Sequence, residues 1–95
     1  MCIQLVVPFQ WDPRKSGANQ RKHKIAFGDA VGVFEDPRAI TIDDSHPTEE
    51  RYVTIGLDLL GRVLVVSWTP RGDRIRLISA RRSTQRERVA YEGND

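Results

Sequence analysis

The sequence predicts an α+β domain: a small antiparallel sheet of three to four strands in a meander, with two helices before it and one after. Three observations carry this expectation. Residues 51–80 hold three strand-like runs joined by short, turn-rich links. Ahead of them, apolar residues recur at helical spacing. Behind them, Thr84 and Glu87 stand three apart, as a capping box requires.

Ile3 to Trp11 is apolar enough for a short strand. Pro8 lies inside it and points to an edge position or an early end, because proline cannot donate to a ladder. Asp12-Pro13 reads as a helix start, with Asp12 capping free N–H groups and Pro13 at the first helical position. The helix should run to about His23, and its polar surface should face solvent or a polyanion. Phe27, Ala30, Val31 and Phe34 follow an i, i+3, i+4, i+7 pattern and predict a short amphipathic helix, ended by Asp36-Pro37. Ala39 to Ile42 reads as a short strand and Asp43 to Glu50 as a loop. Arg51 to Leu57 alternates. Arg62 to Thr69 is nearly all apolar and suits a central strand buried on both faces. Asp73 to Ala80 carries Ile and Leu at period two. The links Asp58–Gly61 and Pro70–Gly72 are short enough for hairpins. Thr84 to Glu92 closes the chain as a helix.

At 95 residues the chain makes one domain, and 39% apolar residues suffice for a core. Cys2 is the single cysteine, which fits a reducing compartment. No run approaches the ~20 apolar residues of a membrane span. Ile3 to Pro8 is too short for a signal peptide and lacks a basic flank. The expectation is a cytoplasmic protein. The net charge of +2 hides an uneven layout. Residues 1–28 carry five Lys/Arg against one acid, residues 29–58 two against eight, and residues 59–95 eight against four. Twelve of the fifteen basic residues are arginine, whose planar fork suits phosphate. Charge alone fits a solvated, mixed surface more simply than a phosphate-binding face.

No Walker loop, paired CxxC, HExxH or nucleophile elbow is present. One Cys and two His make a structural zinc site improbable, so no metal or other cofactor is expected. Four constellations remain. Arg74 and Arg76 share a strand face, followed by Arg81 and Arg82. They form either a phosphate clamp that stabilises transition-state charge or a solvated row paired with Asp73 and Glu87. His46 stands near Glu49, Glu50 and Arg51, as a general acid–base group or as an exposed loop histidine. Lys22-His23-Lys24 ends the polar helix, either as cations that the helix dipole already favours there or as a phosphate-binding group with a lysine acting as base. Glu87, Arg88 and Tyr91 lie on the last helix. There Tyr91 either stacks on a base, donates a proton or packs, and Glu87 reads as a cap.

Phe9-Gln10-Trp11-Asp12-Pro13-Arg14-Lys15, Ala18-Asn19 and Arg21-Lys22-His23 resemble the opening motif of BrnT toxins. Phe27, Ala30, Val33-Phe34 and Asp36-Pro37 continue the likeness, followed by Asp44, His46, Glu50-Arg51 and Ile55-Gly56. Gly61 to Val66, Thr69, Arg71-Gly72, Arg74 to Arg81, Glu87-Arg88 and Tyr91-Glu92 are similar to the family's C-terminal half. The resemblance covers residues 9–92 and leaves out those before Phe9. Two positions depart from it: Lys24 stands where the family usually has Gly, and Ala26 where it usually has Ser. These lose a glycine helix stop and a capping hydroxyl, so the turn between the first helices should be looser or differently built.

The resemblance implies a RelE-like ribonuclease toxin that inhibits translation by cutting RNA. It implies neutralisation by a BrnA-like ribbon-helix-helix antitoxin in a hetero-oligomer, with DNA contacted only through that antitoxin and no membrane partner. The resulting expectation is a metal-independent endoribonuclease using the substrate's own 2′-hydroxyl. Arg74, Arg76 and Arg81 would hold the phosphate and transition state. His46 and Lys22 would transfer protons, with Glu50, Glu87 and Tyr91 in secondary roles. Arg21, Lys22, Arg62, Arg82 and Arg88 would contact RNA phosphates. The rival readings are a non-catalytic RNA- or partner-binding module and a structural subunit without RNA affinity.

Overall fold

The structure, a computed structural model, describes residues 8–93. In chain order its elements are β1 (Phe9–Gln10), α1 (Pro13–His23), α2 (Phe27–Ala30), a 3₁₀ segment (Val31–Glu35), β2 (Ile40–Asp43), β3 (Tyr52–Leu57), β4 (Val63–Arg71), β5 (Arg74–Arg82) and α3 (Gln85–Glu92). The class is α+β with helices at both ends, as the sequence predicts. The sheet corrects the expectation of three to four antiparallel strands. It has five strands in the order β1-β5-β4-β3-β2, and it is mixed. The antiparallel meander of β2 to β5 is present, but β1 adds a parallel edge by pairing Phe9 with Ile75 and Gln10 with Arg76. Pro8 is compatible with this edge because its carbonyl accepts from the Ile75 N–H at 2.6 Å. The expected strand from Ile3 to Trp11 lies partly outside the described residues, since Ile3 to Val7 are not among them.

The β4–β5 hairpin is tighter than the expected Pro70–Gly72 link. Pro70 and Arg71 belong to β4, Arg71 pairs with Arg74, and only Gly72 and Asp73 form the loop. Gly72 has φ +63°, as the first position of a type II′ loop requires, and glycine takes that conformation without strain. Pro70 opposes Ile75, whose N–H turns away to Pro8, so proline's missing donor costs no ladder bond there. At the other hairpin, the buried Asp58 carboxylate accepts from the N–H groups of Leu60 and Arg62 and fixes the β3–β4 turn.

β4 is buried on both faces, as its apolar run predicts. On one face Leu64 and Val66, with Leu77 and Ala80 of β5, pack against Ile25, Phe27, Ala30 and Val33. On the other, Val63 and Val65 pack with Ile55 and with Tyr91 of α3. A bulge in β5 makes both cores possible. Ser67 pairs with Ser79 but Trp68 pairs with Leu77, leaving Ile78 extra. The bulge puts Leu77 and Ala80 on the helix-covered face and turns Arg76, Ser79 and Arg81 to the other.

The link between the first helices keeps a helix stop with Lys24 in the place of glycine. Lys24 caps α1 at φ +63°, in the left-handed region where glycine is the usual occupant. Ala26 precedes α2 without a side-chain cap, and Ser16 Oγ accepts the Phe27 N–H at 3.3 Å in its place. Asn19 fastens α1 to the sheet. Its side-chain nitrogen donates to the carbonyls of Ile25 and Ala80 at 2.9 and 2.8 Å, and its oxygen accepts from the Ala80 N–H at 3.1 Å. β1 ends opposite Arg76, so the Asn19 amide supplies the edge of β5 beyond the point where a neighbouring strand is missing.

Candidate nucleic-acid interface

Strand alternation decides which charged groups meet. On the sheet face opposite α1 and α2, the hairpin register places Thr69 beside Arg76 and Arg71 beside Arg74. The helix α3 packs at the other end of this face, over Ile55, Val63 and Val65. It is held there by two bonds from Arg81 to Glu87, 2.8 and 2.9 Å long, and by Tyr91 Oη donating to Asp36 Oδ2 at 2.5 Å. Arg71 and Arg74 are exposed and Arg76 is half-buried.

A concavity of about 100 Å³ sits against this basic end, where Arg51, Arg71 and Arg76 meet Lys15 of α1, with Glu49 as its one carboxylate. A second, of about 240 Å³, continues past Lys15 and the bulged Ile78 along α1 to Lys22, His23 and Ser79. Lys15 and Ile78 line both, so the two form one bent cleft around the outer edge of β5. Spacing on α1 explains its contribution, since Lys15, Ala18, Asn19 and Lys22 fall on one side of the helix.

Electrostatics in the cleft are one-sided. The Arg51 guanidinium donates to Glu49 at 2.7 Å and holds that carboxyl below the usual range, with help from the charges of Arg71 and His46. Glu49 is therefore ionised near neutral pH. The Arg51 Nε is buried with no hydrogen-bond partner among the described residues. Thr69 Oγ1 donates to the Glu50 carbonyl at 2.5 Å and fixes the segment that carries Glu49 and Arg51. The Asp12 carboxyl, at the start of α1, is lowered mainly by the Arg14 backbone N–H, with Arg76 adding a charge contribution.

Of the residues singled out from the sequence, Arg76 and Lys22 line the cleft, and Arg74 lies two pairs beyond Arg76 on the same face. His46 lies in the turn before β3, joined to Glu49 by two backbone hydrogen bonds. Arg81, Glu87 and Tyr91 are elsewhere and satisfy partners of their own. Arg81 pulls the Glu87 carboxyl down to about 2, and burial, with Asp36, pushes the Tyr91 hydroxyl up to about 12. Glu50 turns away from Glu49 and accepts from Tyr52 Oη at 3.0 Å. Arg21 is exposed on α1, outside the cleft lining. Arg62, Arg82 and Arg88 gather at the opposite end of β5. Sequence reasoning passed over Lys15 and Arg71 as site residues, and named Glu49 and Arg51 only as neighbours of His46. A two-residue hairpin would have placed Arg71 opposite Arg74, and alternation into β3 would have separated Glu49 from Glu50.

Among the described residues, no group of three His, Cys, Asp or Glu side chains is placed to hold a metal ion, and no helix is long and apolar enough to cross a membrane.

A family model described as the ribonuclease toxin BrnT of type II toxin–antitoxin systems matches residues 11–87. Among solved structures, the 1.1 Å crystal structure of the Brucella abortus ribonuclease toxin BrnT matches with a TM-score of 0.64. The match covers 79% of this chain and 94% of that one at 24% sequence identity, and so speaks to the fold. No curated protein matches the chain.

Proposed function

The chain belongs to the BrnT family of ribonuclease toxins of type II toxin–antitoxin systems, and from that premise we propose that it cuts RNA internally, in the cleft between α1 and β5, without a metal ion. The observation that carries this reading is the convergence of Lys15, Arg51, Arg71 and Arg76 on one concavity that contains a single carboxylate. In the proposed reaction the substrate's 2′-oxygen attacks the adjacent phosphorus while a protein group takes its proton. The bond to the 5′-oxygen breaks, and that oxygen receives a proton, leaving a 2′,3′-cyclic phosphate and a 5′-hydroxyl.

Arg76 and Arg71 neutralise the phosphate as charge builds on its oxygens, and Arg74 extends the clamp. Arg51, whose guanidinium also donates to Glu49, adds a further cation to the lining. Proton transfer falls to His46, beside the ionised Glu49, and to Lys22 and His23 farther along the cleft. Arg81, Glu87 and Tyr91 act as the clamp that holds α3, and Glu50 and Arg21 stay outside the reaction. The antitoxin is read as a BrnA-like ribbon-helix-helix protein in a hetero-oligomer, through which alone the pair touches DNA. The fold is read as RelE-like and the site of action as the cytoplasm.

The test is purified protein incubated with RNA in excess chelator. The wild type is expected to yield cyclic-phosphate ends, and Arg71→Ala to lower the rate by about 10²–10³-fold, the usual cost of one transition-state donor. An RNA shift in gels with no new ends would favour a non-catalytic binding module.

A further inference from the structure

We infer that the RNA path continues from the cleft along β5 to a second phosphate subsite at the far end of the strand, formed by Arg62, Arg82 and Arg88. This inference rests on the RNA-cutting reading above. A cavity of about 260 Å³ lies there between the β3–β4 turn and the start of α3, with the three arginines and Ser83 among its lining. It is the largest of the three concavities described, and cutting chemistry at the cleft does not use it.

Its arginines are unequally committed. Arg62 Nε and Nη2 donate to the buried Asp58 carboxylate at 2.8 and 2.6 Å. Arg88 donates to Glu92 at 3.0 Å, with both side chains more than half exposed, so a stronger anion can take that guanidinium at little cost. Arg82 is exposed and makes no ion pair among the described residues. One free arginine, one readily released and one anchored give an anion site already positioned but not neutralised.

Continuity points to RNA as the occupant. Arg62 Nη1 also donates to the Lys24 carbonyl at 3.3 Å, which ties this cavity to the end of α1 where Lys22 and His23 line the cleft. The three concavities thus follow one another along β5. From Arg76 to Arg82 the strand advances five paired steps past the bulged Ile78, roughly 15–20 Å at the usual rise. A chain of phosphates matches such a track better than a single anion does. The cleft also bends around the sheet edge, a path that a flexible single strand follows and a stiff duplex does not. The predicted substrate is therefore single-stranded RNA, held at the scissile phosphate and again several nucleotides away.

The test measures binding apart from cutting. Uncleavable 2′-O-methyl oligoribonucleotides of about three and about ten nucleotides, bracketing the reach of one cleft against the whole track, are titrated by fluorescence anisotropy. The full-length wild type is compared with Arg82→Ala/Arg88→Ala. The wild type should prefer the longer oligomer, and the variant should lose roughly ten- to a hundredfold of that preference. Its salt slope on the longer oligomer should fall by about 0.7 for each phosphate that the variant no longer neutralises. An unchanged length preference overturns the inference. Weakened antitoxin binding with unchanged RNA binding also overturns it, and assigns the cavity to an acidic segment of that partner. Failure of the cutting reading would appear separately, as intact cleavable RNA.

Discussion

Replacing Asn19 with alanine removes the amide that joins α1 to the edge of β5. The side chain is only 7% exposed and makes three hydrogen bonds, to the Ile25 carbonyl and to both backbone groups of Ala80. Its loss leaves the Ala80 N–H as a buried donor without a partner, at about 1–3 kcal/mol. The two carbonyls lose their donors too, each at the low end of that range because a carbonyl keeps a second lone pair for water. The expected destabilisation is about 3 kcal/mol. For a chain of this size it should lower the melting temperature by roughly 12–24 °C. Urea unfolding and thermal melting provide the assay, with an unchanged m-value marking a true change in stability. Asn19→Asp should do no better, because it keeps the acceptor for Ala80 N–H but sets a charge against two carbonyls. A loss under about 1 kcal/mol for Asn19→Ala, with the same m-value, would refute this reasoning.

Lys24→Gly should stabilise the protein by about 0.5–1 kcal/mol in the same unfolding assay, since glycine relieves the left-handed cap at φ +63° while a cation near the helix end is lost. The Arg81–Glu87 pair should show in acid. Glu87 titrates at about 2 when folded and near its ordinary value of 4.5 when unfolded, so its contribution is complete above pH 4.5 and disappears as pH falls toward 2. Arg81 is 41% exposed, so solvent screening limits the effect to about 1–2 kcal/mol. Stability curves of the wild type and Glu87→Gln should therefore converge between pH 4.5 and 2, and parallel curves would show that the pair contributes nothing.

Periodicity and capping signals made most of the fold legible. The Asp12-Pro13 start, the Thr84–Glu87 box and the apolar run of β4 each describe a local backbone state, and local rules govern them. Two features depended on tertiary pairing instead. β1 is two residues long and parallel, and it exists because the N–H of Ile75 faces outward at the edge of β5. The bulge at Ile78 balances two cores, and no single residue announces it. The candidate site was legible in type more than in membership. Arg76, read in a row with Arg74, and Lys22, read in the Lys22-His23-Lys24 run, lie in the cleft. Glu87 and Tyr91 looked chemical because their residue types are versatile, yet each is engaged in holding α3. Choosing Glu49 over Glu50 required the strand register, which puts one carboxylate with Arg51 and the other with Tyr52.

The most direct test of the RNA-cutting cleft is expression without antitoxin of the wild type and of Arg76→Ala, confirmed to be equally folded, with growth followed and the ends of total RNA mapped. The account predicts growth arrest and new cyclic-phosphate ends for the wild type, with neither for Arg76→Ala. Equal arrest and equal cutting by the Arg76→Ala protein would contradict it.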